Sequence, residues 1–203
     1  MIKVGITGGI GSGKSFVSKI MEEKGFPVFD CDSRAKKLMA EDVYVRNKLI
    51  SVVGQNVFEV KNKRNGKQVW VLNKGVMTDF LFKDADNTKT INNIVHPRLA
   101  EVFEAWAKTQ NKDMVFMEAA ILFESGFDKL VDFTVLVFAD EATRIRRAKN
   151  RDGCSDEVVR QRMAQQMNAN QLMNKVDYII YNNDIDIVDS QIDNFLIFLK
   201  NKL

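Results

Sequence analysis

The sequence has few residues that cross-link a chain or bind metals: two prolines, two cysteines and one histidine among 203 residues. Cys31 and Cys154 form neither a disulfide framework nor a zinc-binding pattern. No apolar run approaches the roughly 20 residues of a membrane-spanning helix, and the first residues lack a signal-peptide pattern. The absence of repeats and low-complexity segments argues against a solenoid or a long linker. We therefore expect a cytoplasmic protein with no membrane partner.

The charges are nearly balanced, with 30 Lys and Arg against 27 Asp and Glu and a net charge of +3. This excess suits an anionic small-molecule substrate but is too small to indicate nucleic-acid binding. The hydrophobic fraction of 45% and the charged fraction of 28% are typical of a globular protein. The length fits one α/β domain with a small insertion, and we expect a monomer or a weak homo-oligomer.

Short apolar runs alternate with segments of helical spacing. The runs cover 2–7, 26–30, 114–117, 133–138 and 178–181. Because their hydrophobicity is mostly continuous, they are typical of strands buried on both faces. The alternation predicts a three-layer α/β/α fold, that of P-loop nucleoside-triphosphate hydrolases, around a mostly parallel five-stranded sheet.

Nine segments have helical spacing and predict helices. They cover 14–24, 34–40, 45–53, 74–82, 88–94, 96–108, 141–148, 156–173 and 187–200. Pro97 is expected at the first position of its helix, where proline costs no hydrogen bond. The dipeptide Asn65-Gly66 predicts a hairpin between strands at 58–60 and 69–72.

The block of residues 32–94 interrupts the alternation of strands and helices. We interpret it as an insertion into a nucleotide-binding core formed by 1–31, 95–139 and 175–203. The basic, glutamine-rich segment 140–174 is interpreted as a helical lid. Together these segments form a single P-loop kinase domain over 1–203.

Residues 8–15 read Gly-Gly-Ile-Gly-Ser-Gly-Lys-Ser and match the P-loop pattern, between a predicted strand and a predicted helix. The pattern predicts that backbone amides face the phosphates of a nucleoside triphosphate, together with the positive end of the following helix. The amides belong to Gly11, Ser12, Gly13, Lys14, Ser15 and Phe16. Lys14 is expected to reach the β- and γ-phosphates, and the Ser15 hydroxyl to bind Mg²⁺.

A second four-residue pattern, Asn-Lys-Val-Asp at 174–177, matches the guanine-binding motif of GTPases. That motif follows a buried strand, whereas here it follows a polar helix and precedes a strand. The chain also has no Asp-x-x-Gly motif that would sense the γ-phosphate. We therefore interpret the tetrad as a chance match.

Two acids, Asp30 and Asp32, follow the second predicted strand at the edge where α/β proteins bind ligands. If strand geometry continues, both side chains face the cleft, and either could be the base that a kinase needs near its acceptor. The alternative for Asp32 is an N-cap of the 34–40 helix. Glu118, at the end of the third strand, could orient water around the metal.

An arginine-rich segment follows the fourth strand, comprising Arg144, Arg146, Arg147, Arg151, Arg160 and Arg162. Such a segment could close over ATP and neutralise phosphate charge. The alternative is a solvated helix surface with acidic partners. Arg151 is the member that the alternative explains least well, because it is expected in a turn between two helices.

The sequence resembles the dephospho-CoA kinase family over nearly its whole length. The similarity is carried by the P-loop and by Val28-Phe29-Asp30-Cys31-Asp32, Leu72-Asn73-Lys74, His96-Pro97-Arg98, Ile121-Leu122-Phe123-Glu124, Arg151-Asp152-Gly153, Arg162-Met163-Ala164-Gln165 and Asp177-Tyr178-Ile179-Ile180-Tyr181-Asn182. The resemblance implies transfer of the γ-phosphoryl group of ATP to the ribose 3′-hydroxyl of dephospho-CoA, the last step of coenzyme A synthesis.

The resemblance also implies roles for individual residues. The general base falls on Asp32, the lid arginine on Arg151 and the adenine-contacting region on Asn182. The insertion would bind the acceptor, with His96 facing it. A helix-start residue next to Pro97 is the alternative for His96.

Two other functions are open from the residues alone. One is a P-loop kinase of another nucleoside or nucleotide. The other is a non-catalytic nucleotide switch, against which the missing Asp-x-x-Gly motif argues.

Overall fold

The predicted apolar runs form strands in the computed structural model, which describes residues 1–62, 66 and 68–202. The strands are β1 (Ile2–Thr7), β2 (Val28–Asp30), β3 (Phe58–Asn62), β4 (Gln68–Leu72), β5 (Met114–Glu118), β6 (Phe133–Phe138) and β7 (Tyr178–Tyr181). The α-helices are α1 (Lys14–Glu23), α2 (Cys31–Glu41), α3 (Val43–Val53), α4 (Lys74–Lys83), α5 (Ala85–Lys108), α6 (Glu141–Asp152), α7 (Asp156–Met163), α8 (Ala169–Met173) and α9 (Val188–Lys200). Short 3₁₀ turns cover Gln55–Val57 and Phe127–Leu130.

Five of these strands form one sheet in the order β2-β5-β1-β6-β7, and all of its neighbouring pairs are parallel. The register pairs Ile6 of β1 with Glu118 of β5 and with Val135 of β6. Parallel strands end at the same edge, so the residues after β1, β5, β6 and β7 meet there. The predicted five-stranded α/β architecture is confirmed.

The chain divides into two units: unit 1 contains Met1–Asp30 and Thr109–Leu203, and unit 2 contains Cys31–Lys108. In unit 1, α1 and α9 bury their apolar sides against the same sheet face. Val17 and Met21 of α1 and Phe195 of α9 are fully buried with Val4 and Val137. On the opposite face Leu122 packs where Gly5 has no side chain. The sheet is thus covered on both faces, as its continuous hydrophobicity predicted.

Unit 2 combines helices with a hairpin around its own core. Seven apolar residues form that core: Val45, Leu49, Val57, Phe58, Met77, Ile91 and Val95. β3 and β4 pair antiparallel, with Val60 opposite Trp70, so the predicted hairpin strands are confirmed. Asn65, on which the predicted turn depends, lies outside the described residues.

The prediction of two helices around Pro97 is wrong, because α5 continues through that residue. Proline inside a helix removes one backbone hydrogen bond and crowds the preceding turn. Buried side chains nevertheless recur every four residues along one side of α5, at Ile91, Val95, Leu99 and Phe103. Their burial stabilises the continuous helix. His96 is therefore an interior residue of α5, and not a helix-start residue.

Other helix boundaries also differ from the prediction, and two of them matter for the site. α2 begins at Cys31, so Asp32 lies inside its first turn and is not the N-cap of a later helix. The strand also stops at Asp30, so strand alternation does not relate the directions of the two acids. The predicted 156–173 helix is two helices, because Asn168 caps α8 through a capping box with Gln171.

Candidate active site

The P-loop connects β1 to α1 at the carboxyl edge of the sheet. Gly11 and Gly13 have φ angles of +76° and +92°, a conformation that side chains rarely adopt. Gly13 immediately precedes α1, so the amides at the start of the helix face into the loop. Lys14 Nζ donates to Gly8 O at 2.8 Å, which places the ammonium group within the loop. The loop therefore presents backbone amides and one ammonium group, which suit an anionic ligand.

Asn182 follows β7 and supports the P-loop through a hydrogen bond to its backbone. Its side-chain Nδ2 donates to Ser12 O at 2.8 Å, and the residue is buried. A side chain at Gly13 would place Cβ only 2.1 Å from this Nδ2, so only glycine fits there. Asn182 thus contacts the P-loop backbone, and its expected contact with adenine stays a prediction.

Ser15 lies beside the acid at the end of β5. Ser15 Oγ donates to Glu118 Oε1 at 2.8 Å. Both groups are hard oxygen ligands of the kind that Mg²⁺ prefers, and Mg²⁺ in kinases is usually held by one or two protein groups together with phosphates. These two residues therefore fit a nucleotide-bound Mg²⁺.

Two arginines of α6 donate hydrogen bonds to the P-loop and to the residue that supports it. Arg144 Nε donates to Ile10 O at 3.0 Å, and burial lowers the pKa of this guanidinium. Arg147 donates to Asn182 O at 2.8 Å and to Asp184 at 3.2 Å. A hydrogen bond from Arg146 is the main reason that the pKa of Asp184 is lowered. The sequence indicated these arginines only as members of a run.

Arg151 occupies a different environment, in the last turn of α6. The predicted turn between helices is formed instead by Gly153, which ends α6 in the left-handed conformation. Arg151 donates to both carboxylate oxygens of Asp152, at 2.8 and 3.0 Å, and Arg162 donates to the same carboxylate at 2.8 Å. The hydrogen bond from Arg151 is the main cause of the lowered pKa of Asp152. The Arg151 side chain is 63% exposed.

A cavity of about 570 Å³ opens between the start of α1 and the segment after β7. It is lined by Gly13, Phe16, Arg147, Ile187 and the acidic residues around Asp184. Phe16 and Ile187 are exposed apolar side chains, and Arg147 provides a planar cation. These surfaces suit a flat aromatic ring.

Asp32 and His96 belong to unit 2. Asp32 is exposed in the first turn of α2, where the helix dipole stabilises its negative charge. His96 is half-buried, and this burial lowers its pKa. The P-loop, Glu118 and Asn182 thus come together in unit 1, while the predicted acceptor residues lie in unit 2.

The guanine-motif match has a structural role. Asp177, the acid of the tetrad, accepts two hydrogen bonds from Thr134, one from the backbone amide and one from the hydroxyl, both at 2.8 Å. They fix the start of β7 against β6. The carboxylate is therefore already used by the sheet.

A further contact of the P-loop comes from Gln166, in the segment between α7 and α8. Gln166 Oε1 accepts from the Ile10 amide at 2.9 Å across 156 residues of sequence. Nothing in the local sequence predicted this contact, since a glutamine side chain is neither charged nor nucleophilic.

A family model for dephospho-CoA kinase matches residues 2–187. The chain belongs to the dephospho-CoA kinase family. A dephospho-CoA kinase of Bacteroides fragilis is 38% identical over 203 residues, covering 100% of this chain and 95% of the relative. One from Porphyromonas gingivalis is 42% identical over 166 residues, covering 82% and 78% of the two chains.

A crystal structure of a Thermus thermophilus protein is similar throughout, with a TM-score of 0.80, 26% identity and coverage of 100% and 97%. The predicted family membership and the prediction of an ATP-dependent phosphotransferase are confirmed. No helix among the described residues is long and apolar enough to cross a membrane.

Proposed function

We propose that the chain transfers the γ-phosphoryl group of ATP to the ribose 3′-hydroxyl of dephospho-CoA, giving CoA and ADP. Two observations support this proposal together: membership of the dephospho-CoA kinase family, and the arrangement of Lys14, Ser15 and Glu118 around the P-loop of unit 1. Family membership supports the acceptor, and the P-loop geometry supports the donor.

On the donor side, the loop amides and the positive end of α1 hold the triphosphate. Lys14 neutralises charge that develops between the β- and γ-phosphates as the bond to the leaving ADP breaks. These donors are already oriented, so little reorganisation is needed in the transition state.

Ser15 and Glu118 are the residues that would hold Mg²⁺, Ser15 through its hydroxyl and Glu118 directly or through water. When bound with ATP, the metal supplies positive charge to the transferring group. The position of Glu118 at the end of a buried strand fixes its carboxylate relative to Ser15.

The base of ATP would occupy the cavity beside Phe16, Arg147 and Ile187. The Arg147 guanidinium is fixed by Asn182 O and Asp184, so its planar face is pre-organised for stacking on a purine. Asn182 supports this region through the P-loop backbone.

The acceptor would bind to unit 2, with Asp32 as the general base and His96 as a binding residue. Asp32 takes the proton of the 3′-hydroxyl while the oxygen–phosphorus bond forms and the bond to ADP breaks. Asp32 is exposed in the first turn of α2, so its carboxylate is accessible to an acceptor hydroxyl.

Residues 140–174 would act as the lid, with Arg151 moving onto the transferring group. In the structure Asp152 binds both Arg151 and Arg162 and keeps their guanidinium groups together. Closure would exchange this carboxylate for phosphate oxygens, which are equally good partners for a guanidinium.

The test is incubation of the purified full chain with Mg-ATP and dephospho-CoA, with CoA and ADP measured by chromatography and mass spectrometry. We expect both products in equal amounts, and no CoA from the Lys14→Ala variant. A folded, ATP-binding protein that forms no CoA would refute the proposal. Higher kcat/KM with another nucleotide or nucleoside would reassign the acceptor.

A further inference from the structure

The apex of the P-loop, Ile10, is held on both sides of its backbone by side chains from the segment 140–174. Its amide donates to Gln166 Oε1 at 2.9 Å. Its carbonyl accepts from Arg144 Nε at 3.0 Å. Both partners are partly buried, so neither bond is freely exchanged with water.

The side chain of Ile10 makes a third connection to the same segment. It packs against a cluster formed by Ile145 and Ala148 of α6 and Val159 of α7, with Met163 beside it. This cluster is separate from the core between α1 and α9. Ile10 is thus the P-loop residue that belongs to the hydrophobic core of α6 and α7.

The glycines on either side of Ile10 make this close approach possible. A Cβ at Gly9 would lie 2.0 Å from Arg144 Nη2, and one at Gly11 would lie 2.2 Å from the Arg144 carbonyl oxygen. The second contact is with backbone and leaves no room for adjustment. α6 therefore rests directly on the loop at this point.

Gln166 is also connected to the loop that follows β5. Its Nε2 lies 3.4 Å from Ala120 O, and the next residue, Met167, donates its amide to Glu124 Oε1 at 2.8 Å. The segment between α7 and α8 is thus fixed to both the P-loop and the loop after β5.

We propose that Gln166 is a positioning residue that couples nucleotide binding at the P-loop to the order of the segment 160–168 through Ile10. The inference rests on the proposed ATP site and adds to it a defined connection between the phosphates and the lid. Because the Ile10 amide donates to Gln166, it is not a phosphate ligand, and its hydrogen bond orients the loop. The amides from Gly11 onward would bind the phosphates. Coupling of this kind is reciprocal, because an ordered lid segment also favours the binding-competent loop.

The test uses ADP as a non-reacting probe and follows backbone hydrogen exchange of the full chain by mass spectrometry. In the natural chain, ADP should slow exchange both in the P-loop peptide and in the peptide covering 160–168. In Gln166→Met, which keeps the side-chain length but removes both hydrogen-bonding atoms, ADP should slow exchange in the P-loop peptide only. The Kd for ADP should rise roughly 2- to 13-fold, the fold-change that corresponds to one lost hydrogen bond.

Gln165→Met is the matched control, because Gln165 is the exposed neighbour on the same segment. It should leave both protection patterns and the Kd unchanged. Gln166→Glu keeps an acceptor for the Ile10 amide and should retain protection of 160–168. If Gln166→Met does not fold, Ile10→Ala tests the same connection through the hydrophobic cluster, with reduced protection of 160–168 expected.

Unchanged protection of 160–168 in Gln166→Met, or in Ile10→Ala where that variant replaces it, overturns the coupling. Equal loss in Gln165→Met does so too. Failure of the natural chain to bind ADP would instead refute the proposed ATP site. The two failures are therefore distinguishable.

Discussion

Ser15 Oγ and Glu118 Oε1 are 2.8 Å apart, which joins the hydroxyl of the P-loop to the acid at the end of the neighbouring strand β5. The pairing of Ile6 with Glu118 fixes this geometry through the sheet. The hydroxyl and the carboxylate therefore converge on one point beside the start of α1.

For Glu118→Gln, we expect a turnover about 10- to 100-fold lower and a higher Mg²⁺ concentration at half-maximal rate, because a neutral amide orients metal-bound water less well. Titration of Mg²⁺ at saturating ATP measures both effects. Glu124→Gln is a control acid beyond the sheet edge and should not change the Mg²⁺ requirement. A Glu118→Gln enzyme with a normal Mg²⁺ requirement would contradict the assignment.

For Asp32→Asn, turnover should fall by roughly 10²- to 10⁴-fold, the effect of losing a general base. The Kd for ATP should not change. The variant should lose only about 0.3–1 kcal/mol of stability, because Asp32 is exposed and contributes mainly through the helix dipole. Asp30→Asn, two residues earlier, is the matched control and should retain more activity. If Asp30→Asn were the slower enzyme, the base would be reassigned to Asp30.

For Arg151→Ala, we expect kcat to fall about 10²-fold with a smaller change in the KM for ATP, because the guanidinium would act mainly on charge in the transition state. Steady-state kinetics measures the two parameters. Arg160 is another exposed arginine of the lid, bonded to Glu141, and Arg160→Ala should remain within about threefold of the natural rate. An Arg151→Ala enzyme with a normal kcat would refute its proposed role.

For Gly11→Ala, two costs add. The residue has φ of +76°, which strains alanine by about 1 kcal/mol, and the new Cβ would lie 2.2 Å from Arg144 O. Gly153→Ala carries only the first cost, since φ is +63° and nothing lies within 4 Å. Denaturant unfolding and ADP binding should show a larger loss for Gly11→Ala on both measures. Equal losses would mean that the approach of α6 imposes no constraint.

Protonation of His96 makes the free energy of unfolding depend on pH. Burial lowers its pKa from the ordinary value of 6.5, so the folded state binds its proton less readily than the unfolded state. The stability that this histidine contributes is present above about pH 6.5 and is lost as the pH falls through the folded pKa. The free energy of unfolding should therefore decrease between about pH 7 and 5.

In His96→Gln this decrease should be smaller. Because His96 is the only histidine, no other side chain with an ordinary pKa titrates in the middle of this range. The measurement is denaturant unfolding at several pH values. The same pH slope in both proteins would show that His96 does not carry the effect.

The sheet and the P-loop could be predicted because each depends on patterns among neighbouring residues. β6 was predicted at 133–138, as the structure has it, since a mostly apolar run lies there between Asp132 and Asp140. The P-loop was predictable because its glycines, lysine and serine act at fixed spacing within eight residues. Local patterns of this kind need no knowledge of the remaining chain.

The errors at Pro97 and Gln166 arose because contacts outside the local pattern determine the structure there. Pro97 is a strong break in sequence, yet burial along α5 outweighs its missing hydrogen bond. The contact of Gln166 with the P-loop could not be predicted, because its partner Ile10 lies 156 residues away in the sequence. The environment of Arg151 was missed because its carboxylate partner is the adjacent residue, whose side-chain direction depends on the end of α6.

The chain departs after Asp30 to form unit 2 and comes back at Thr109, yet β2 and β5 are adjacent parallel strands, with Phe29 opposite Met117. Two adjacent parallel strands are always joined by a crossover connection. Making such a connection three times longer costs only about 1 kcal/mol of loop-closure entropy. Unit 2 therefore stands in sequence where an ordinary crossover helix would stand. Insertions or deletions in unit 2 should therefore leave the pairing of β2 with β5, and with it the position of Glu118 opposite Asp30, little changed.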